Sequence, residues 1–155
     1  MGCEKAQGYG IARPMPASEV SDWLTNYIPN EQWIAYGNKT YNIKEKKIML
    51  FRLATNYWFN KFENALLATP DSIGNWPIIK HTKCHHGAWI MRERNQQLFD
   101  ESWLDKLDQI HNLMHQLAHD LMNKYQAGDV SVARDGLSEL RIIFEKMNMV
   151  LEQFE

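Results

Sequence analysis

The chain has 155 residues, a formal net charge of −2 and 45% hydrophobic residues. That length can bury one sizeable core and a small appendage. The charge balance excludes a broad basic surface for nucleic acid or anionic lipid, and the apolar content excludes a disordered chain. Apolar runs are only a few residues long, so no transmembrane helix is expected, and no basic-then-apolar leader is seen. The two cysteines, Cys3 and Cys84, make no disulfide framework. A reducing, cytoplasmic setting is therefore expected, and there Cys84 stays free to ligate a metal.

In chain order, residues 7–17 form a loop punctuated by Gly8, Gly10, Pro14 and Pro16. Ser18 is placed to cap a short helix ending near Tyr27, with Glu19 and Asp22 in its first turn. Pro29 stops it. Asn30 can cap a second short helix through Trp33 and Ile34, broken at Gly37-Asn38. A long helix is expected over 42–68, because Ile48, Phe51, Leu53, Ala54, Tyr57, Trp58, Phe62, Ala65 and Leu66 recur at spacings of three and four. Thr69-Pro70-Asp71 ends it, and a loop with Gly74 and Pro77 follows. A short helix is expected over 79–92, carrying Cys84 and tolerating Gly87. A third long helix starts at Asp100 or Ser102 and runs to Gln126, with Leu104, Leu107, Met114 and Leu121 in its stripe. Gly128-Asp129 is a turn. The last helix runs from Val130 to near the end, with Leu137, Leu140, Met147 and Phe154 on its apolar face. Three long amphipathic helices must bury their stripes against one another, and the Cys84 segment completes an all-α, four-helix bundle. Trp89 and the methionines, Met49, Met114, Met147 and Met149 among them, are expected in the core.

The chemistry lies in Cys84, His111 and His115. A thiolate and two imidazoles are zinc ligands, and an i, i+4 pair sets both rings on one face of a helix. A closed zinc site takes four ligands, so the fourth is water or another histidine: His81, His85, His86 or His119. His81 lies three residues before Cys84 and on a helix faces the same way. His85, His86 and His119 are expected at the surface. The bland alternative is a pair of core histidines bonded to backbone or to Asn56. No phosphate-binding glycine loop, dinucleotide fingerprint, His-Glu-x-x-His or Gly-x-Ser-x-Gly occurs.

The stretch Gly2-Cys3-Glu4-Lys5-Ala6-Gln7-Gly8-Tyr9-Gly10-Ile11-Ala12-Arg13-Pro14-Met15-Pro16-Ala17 resembles the closing segment of EAL-type cyclic di-GMP phosphodiesterases. That family closes on Gly-Cys-x-x-x-Gln-Gly-Tyr-x-x-x-Arg-Pro-x-Pro-Ala. Its fold is a TIM-like barrel of about 250 residues, and its Glu-Ala-Leu signature and metal carboxylates do not occur here. Gln7 stands where the family's late active-site glutamine stands. The resemblance implies that residues 1–28 are the end of such a barrel and that this piece does not hydrolyse cyclic di-GMP.

From Cys84 to Trp89, and at His111 and His115, the chain resembles the chemoreceptor zinc-binding (CZB) family. Those domains are four-helix bundles on bacterial chemoreceptors and cyclic di-GMP enzymes. Their signature is a His two residues before an aromatic, a Cys-x-x-Gly-x-Trp segment and a His-x-x-x-His pair. Cys84, Gly87 and Trp89 fit the second part, and His111 and His115 the third. The first part falls on Asn56-Tyr57-Trp58, so asparagine stands at the first ligand position, and a carboxamide is a poor zinc ligand.

The resemblances imply a CZB-like bundle over 44–155 behind a linker over 29–43. Its expected role is sensory: a zinc-binding module serving the EAL or GGDEF domains of a signalling protein. Homodimerisation is an open expectation, with Trp33 or Trp76 as exposed aromatics at the contact. The alternative is a metal-free dimerisation or ligand-binding module whose zinc site has decayed.

Overall fold

A computed structural model describes residues 8–69 and 75–154. The expectations that fall on Cys3, Gln7, Pro70, Asp71 and Gly74 lie outside those residues. The chain is all-helical, with no strand among the described residues. It divides into two units, Met1–Asn42 and Ile43–Glu155.

In the first unit a 3-10 turn, Ala17–Glu19, leads into α1, Val20–Asn26, and α2 spans Glu31–Asn38. Ser18 does not cap α1. It lies inside the 3-10 turn, and the cap position falls on Glu19 without a side-chain bond. Asn30 does cap α2, its Oδ1 accepting from the backbone N–H of Gln32 and Trp33 at 3.0 and 3.2 Å. Among the residues of this unit whose side chains are described, none is buried.

The second unit holds α3 (Ile43–Leu67), a 3-10 turn (His81–Lys83), α4 (His85–Gln96), α5 (Glu101–Gln126), α6 (Val130–Asp135) and α7 (Leu137–Glu152). Helix α5 packs against all four others. Asp100 starts it, accepting from the Trp103 N–H at 3.1 Å. Its inner face, Leu104, Leu107, Met114, Ala118 and Leu121, is fully buried. Burying each of these leucine and methionine side chains is worth about 1.5–3 kcal/mol, which is the main force holding α5 at the centre.

Helix α3 presents Ile48, Phe51, Trp58, Phe59, Phe62 and Leu66 inward. Leu53 and Tyr57, expected in that stripe, point outward, and buried Thr55 bonds the Phe51 carbonyl at 2.9 Å. Met49 and Met149 are likewise exposed, whereas Met114 and Met147 are core. Trp76 is partly buried against Phe62 and Tyr125 rather than exposed, and Trp33 is half-exposed. The carbonyls at the end of α3 are capped from α6 and α5. Arg134 donates to Leu66, Leu67 and Ala68, and the Tyr125 hydroxyl to Ala68 at 2.7 Å. Glu93 is fully buried on α4 and is neutralised by the Lys47 ammonium at 2.6 Å.

The last expected helix is two. The chain turns at Gly136, between α6 and α7, where a Cβ would run into the Leu121 side chain on α5. No described helix is long and apolar enough to cross a membrane.

Candidate metal centre

Cys84 does not sit within a helix. It is extended (φ −78°, ψ 160°) and occupies the N-cap of α4, its Sγ accepting from the Gly87 N–H at 3.3 Å. The physical cause lies just upstream. The Ile78 carbonyl accepts from the Trp58 indole at 2.9 Å, and the Ile79 carbonyl bonds His115 Nδ1 at 2.6 Å. Side chains of α3 and α5 take the carbonyls that a helix over 79–92 needs, so α4 starts only at His85. The turn before it lies so close that a Cβ on Gly87 would fall onto the His81 carbonyl oxygen. Gly87 thus permits the close approach that seats Cys84. Gly87→Ala is expected to destabilise the chain by about 1–3 kcal/mol, the usual range for overpacking. Urea unfolding at neutral pH measures it.

His111 and His115 project from α5 with 0% and 2% exposure. The Cys84 sulfur lies 3.0 Å from His111 Nε2 and 3.1 Å from the His81 carbonyl. The nitrogens of His111 and His115 and the Cys84 sulfur all fall within 4.8 Å of one another. His115 Nδ1–H donates to Ile79, which leaves the His115 Nε2 lone pair buried and without a partner. A backbone carbonyl on one imidazole nitrogen is the usual device for presenting the other to a metal. Trp58 closes one side, its ring centroid 4.7 Å from that of His115. Asp108 Oδ1 lies 4.0 Å from His111 Nδ1.

Burial sets the protonation states. It drives His111 down to about 2, helped by the neighbouring imidazoles of His115, His86 and His81. It drives His115 down to about 4, against the pull of the Ile79 carbonyl. Both rings are therefore neutral at pH 7, the form that ligates metal. Burial pushes the Cys84 thiol up, outweighing the backbone N–H groups that favour thiolate, so it is protonated until something replaces its proton.

The remaining histidines separate. His81 is half-buried, its ring 6.3 Å from that of His111, and lines an open cleft with Ile79, Asn112, His115, Gln116 and His119. His85 and His119 are exposed. His86, expected at the surface, is buried at 4% exposure. With α4 starting at His85, positions 86, 89, 90 and 93 share the inward face, and that spacing is the signal that marks it. Asn56 is exposed on α3, one residue past buried Thr55, so position 56 does not face into the cluster. Asn56→His is accordingly expected to leave zinc affinity within twofold of the wild type, as a chelator-competition titration reads it.

Comparison with known proteins adds no relative. No family model, curated protein or solved structure matches the chain.

Proposed function

We propose that this chain is a zinc-binding regulatory module, a CZB-like four-helix bundle of α3, α4, α5 and α7, serving an EAL-type cyclic di-GMP signalling protein. The observation that carries the metal reading is the convergence of Cys84, His111 and His115, buried and within 4.8 Å, with the His115 Nε2 lone pair unused. One thiolate and two imidazoles suit zinc, which needs no redox partner and accepts a tetrahedral site. When bound, the ion replaces the Cys84 proton and ties the start of α4 to the middle of α5.

The EAL part of the reading rests on the motif ending in Arg13-Pro14-Met15-Pro16-Ala17. It is supported by a first unit that buries none of the residues whose side chains are described, as a piece of a larger barrel would do alone. The role is sensing, not catalysis. Metal binding shifts an equilibrium only by its differential affinity for two states. Tetrahedral zinc holds its donor atoms roughly 3.3–3.6 Å apart, whereas Cys84 Sγ and His111 Nε2 stand at 3.0 Å, so binding has to readjust the cluster. The covalent path for that movement toward the amino-terminal side is residues 39–42 and then α2 and α1.

A second reading, a metal-free dimerisation module, draws on Leu50, Leu53 and Tyr57, exposed at spacings of three and four on α3. Elemental analysis of the purified chain separates the two. About one equivalent of zinc, lost in Cys84→Ala, is the expected result. No metal after growth with added zinc supports the second reading, and a coloured copper protein replaces zinc sensing with an electron-transfer role.

A further inference from the structure

We propose that His86 is the fourth ligand, completing a site of three imidazoles and one thiolate. The inference rests on the Cys84, His111 and His115 reading and extends it.

His86 is 4% exposed, and both of its ring nitrogens are buried without a hydrogen-bond partner. Buried polar atoms are nearly always satisfied, so an imidazole with neither nitrogen met calls for a use. Phe51 packs edge-on against the ring at 4.8 Å, and its backbone carbonyl, which lies toward the imidazole, already accepts from the Thr55 hydroxyl and does not reach hydrogen-bond geometry with His86. On one side the ring borders a surface cleft, and toward α5 it faces His111 of the metal cluster.

The geometry suits a shared ion. Zinc sits 2.0–2.1 Å from each nitrogen, so two imidazoles at the tetrahedral angle have ring centroids about 5 Å apart. His111 and His115 stand at 4.6 Å, and His86 and His111 at 5.8 Å. His81, at 6.3 Å, is further away, half-buried and lines the open cleft, where water can satisfy it. His86 also shares the first turn of α4 with Gly87, which is locked against the His81 backbone. Its nitrogens are not within 4.8 Å of all three other donors. Coordination therefore draws the α4 start toward α5, and the ion clamps two residues of α4's amino end to two of α5. The surface cleft beside His86, lined also by Lys47, Leu50, His85 and Arg92, leaves the ring room to shift toward α5.

The test is zinc K-edge absorption on the zinc-loaded chain, wild type and His86→Phe, with affinities from chelator competition. Phenylalanine keeps a ring against Phe51 and removes the nitrogens. Three imidazoles and one sulfur are expected in the wild type. His86→Phe should show two imidazoles, one sulfur and one light atom, with affinity at least tenfold weaker. Two imidazoles in the wild type, or a variant that matches the wild type in spectrum and affinity, overturns the assignment. In that event loss of zinc in Cys84→Ala still upholds the three-ligand centre. If the wild type takes up no zinc, both fall. If His86→Phe does not fold, the wild-type spectrum alone decides.

Discussion

Saturating zinc raises the unfolding temperature of the chain by about 12–16 °C, and Cys84→Ala abolishes the rise. The size follows from mass action. A ligand held only by the folded state at a thousand times its dissociation constant stabilises by about 4 kcal/mol. For a domain of this size each kcal/mol moves the midpoint by about 3–4 °C. The unfolded chain has no comparable site, because Cys84 and the two histidines are more than twenty residues apart in sequence and meet only through the packing of α4 on α5. Alanine at position 84 removes the one anionic ligand and only a single sulfur's volume. The metal-free variant should then melt within a few degrees of the metal-free wild type. The contrast matters: a variant that is simply misfolded melts low with and without zinc, whereas a variant without a site melts normally and ignores it. A scanning calorimetry trace of wild type and Cys84→Ala, each with zinc and with chelator, gives all four values. Equal midpoints for the wild type in the two conditions would end the metal reading.

The centre itself was legible from residue types. A cysteine and an i, i+4 histidine pair name their chemistry, and α5 declares its inner face through an unbroken three-four spacing and an aspartate cap. What escaped the pattern was decided at long range. The start of α4 depends on the Ile78 and Ile79 carbonyls being occupied from α3 and α5, and no local signal records that. Moving the start to His85 turns His86 inward and gives Cys84 the N-cap. On α3, apolar residues occur nearly all round, so periodicity did not choose between Leu53 or Tyr57 and the polar Thr55. Thr55 went inside because its hydroxyl can bond the Phe51 carbonyl one turn back. The same rotation leaves Asn56 outside, where the family pattern expects a ligand. The break at Gly136 was hidden because both α6 and α7 continue the same apolar stripe across it.

Without zinc, stability should fall steeply as pH drops below about 6.5. Three buried imidazoles set the sign. In the unfolded chain His86, His111 and His115 take up protons near pH 6.5. In the folded chain burial holds His86 and His115 near 4 and His111 near 2. Above pH 6.5 all three are neutral in both states, and they contribute no pH dependence. Between about 6.5 and 4 the unfolded state binds more protons, so each unit of acidification costs up to about 1.4 kcal/mol per histidine, or about 4 kcal/mol for the three. By pH 5 the loss is about 6 kcal/mol, so a chain near the lower end of the usual 5–15 kcal/mol unfolds near pH 5, above the range in which ordinary carboxylates titrate. Urea titrations at pH 7.5, 6 and 5 measure the slope, and a flat profile between 6 and 5 contradicts buried neutral rings. The zinc-bound protein responds differently. Its imidazoles need lose no proton at pH 7, so only the raised Cys84 thiol releases one on binding. Affinity of the folded chain should then drop about tenfold per pH unit between 7 and 6, the slope of a single proton, and not the far steeper slope of several exposed ligands titrating together.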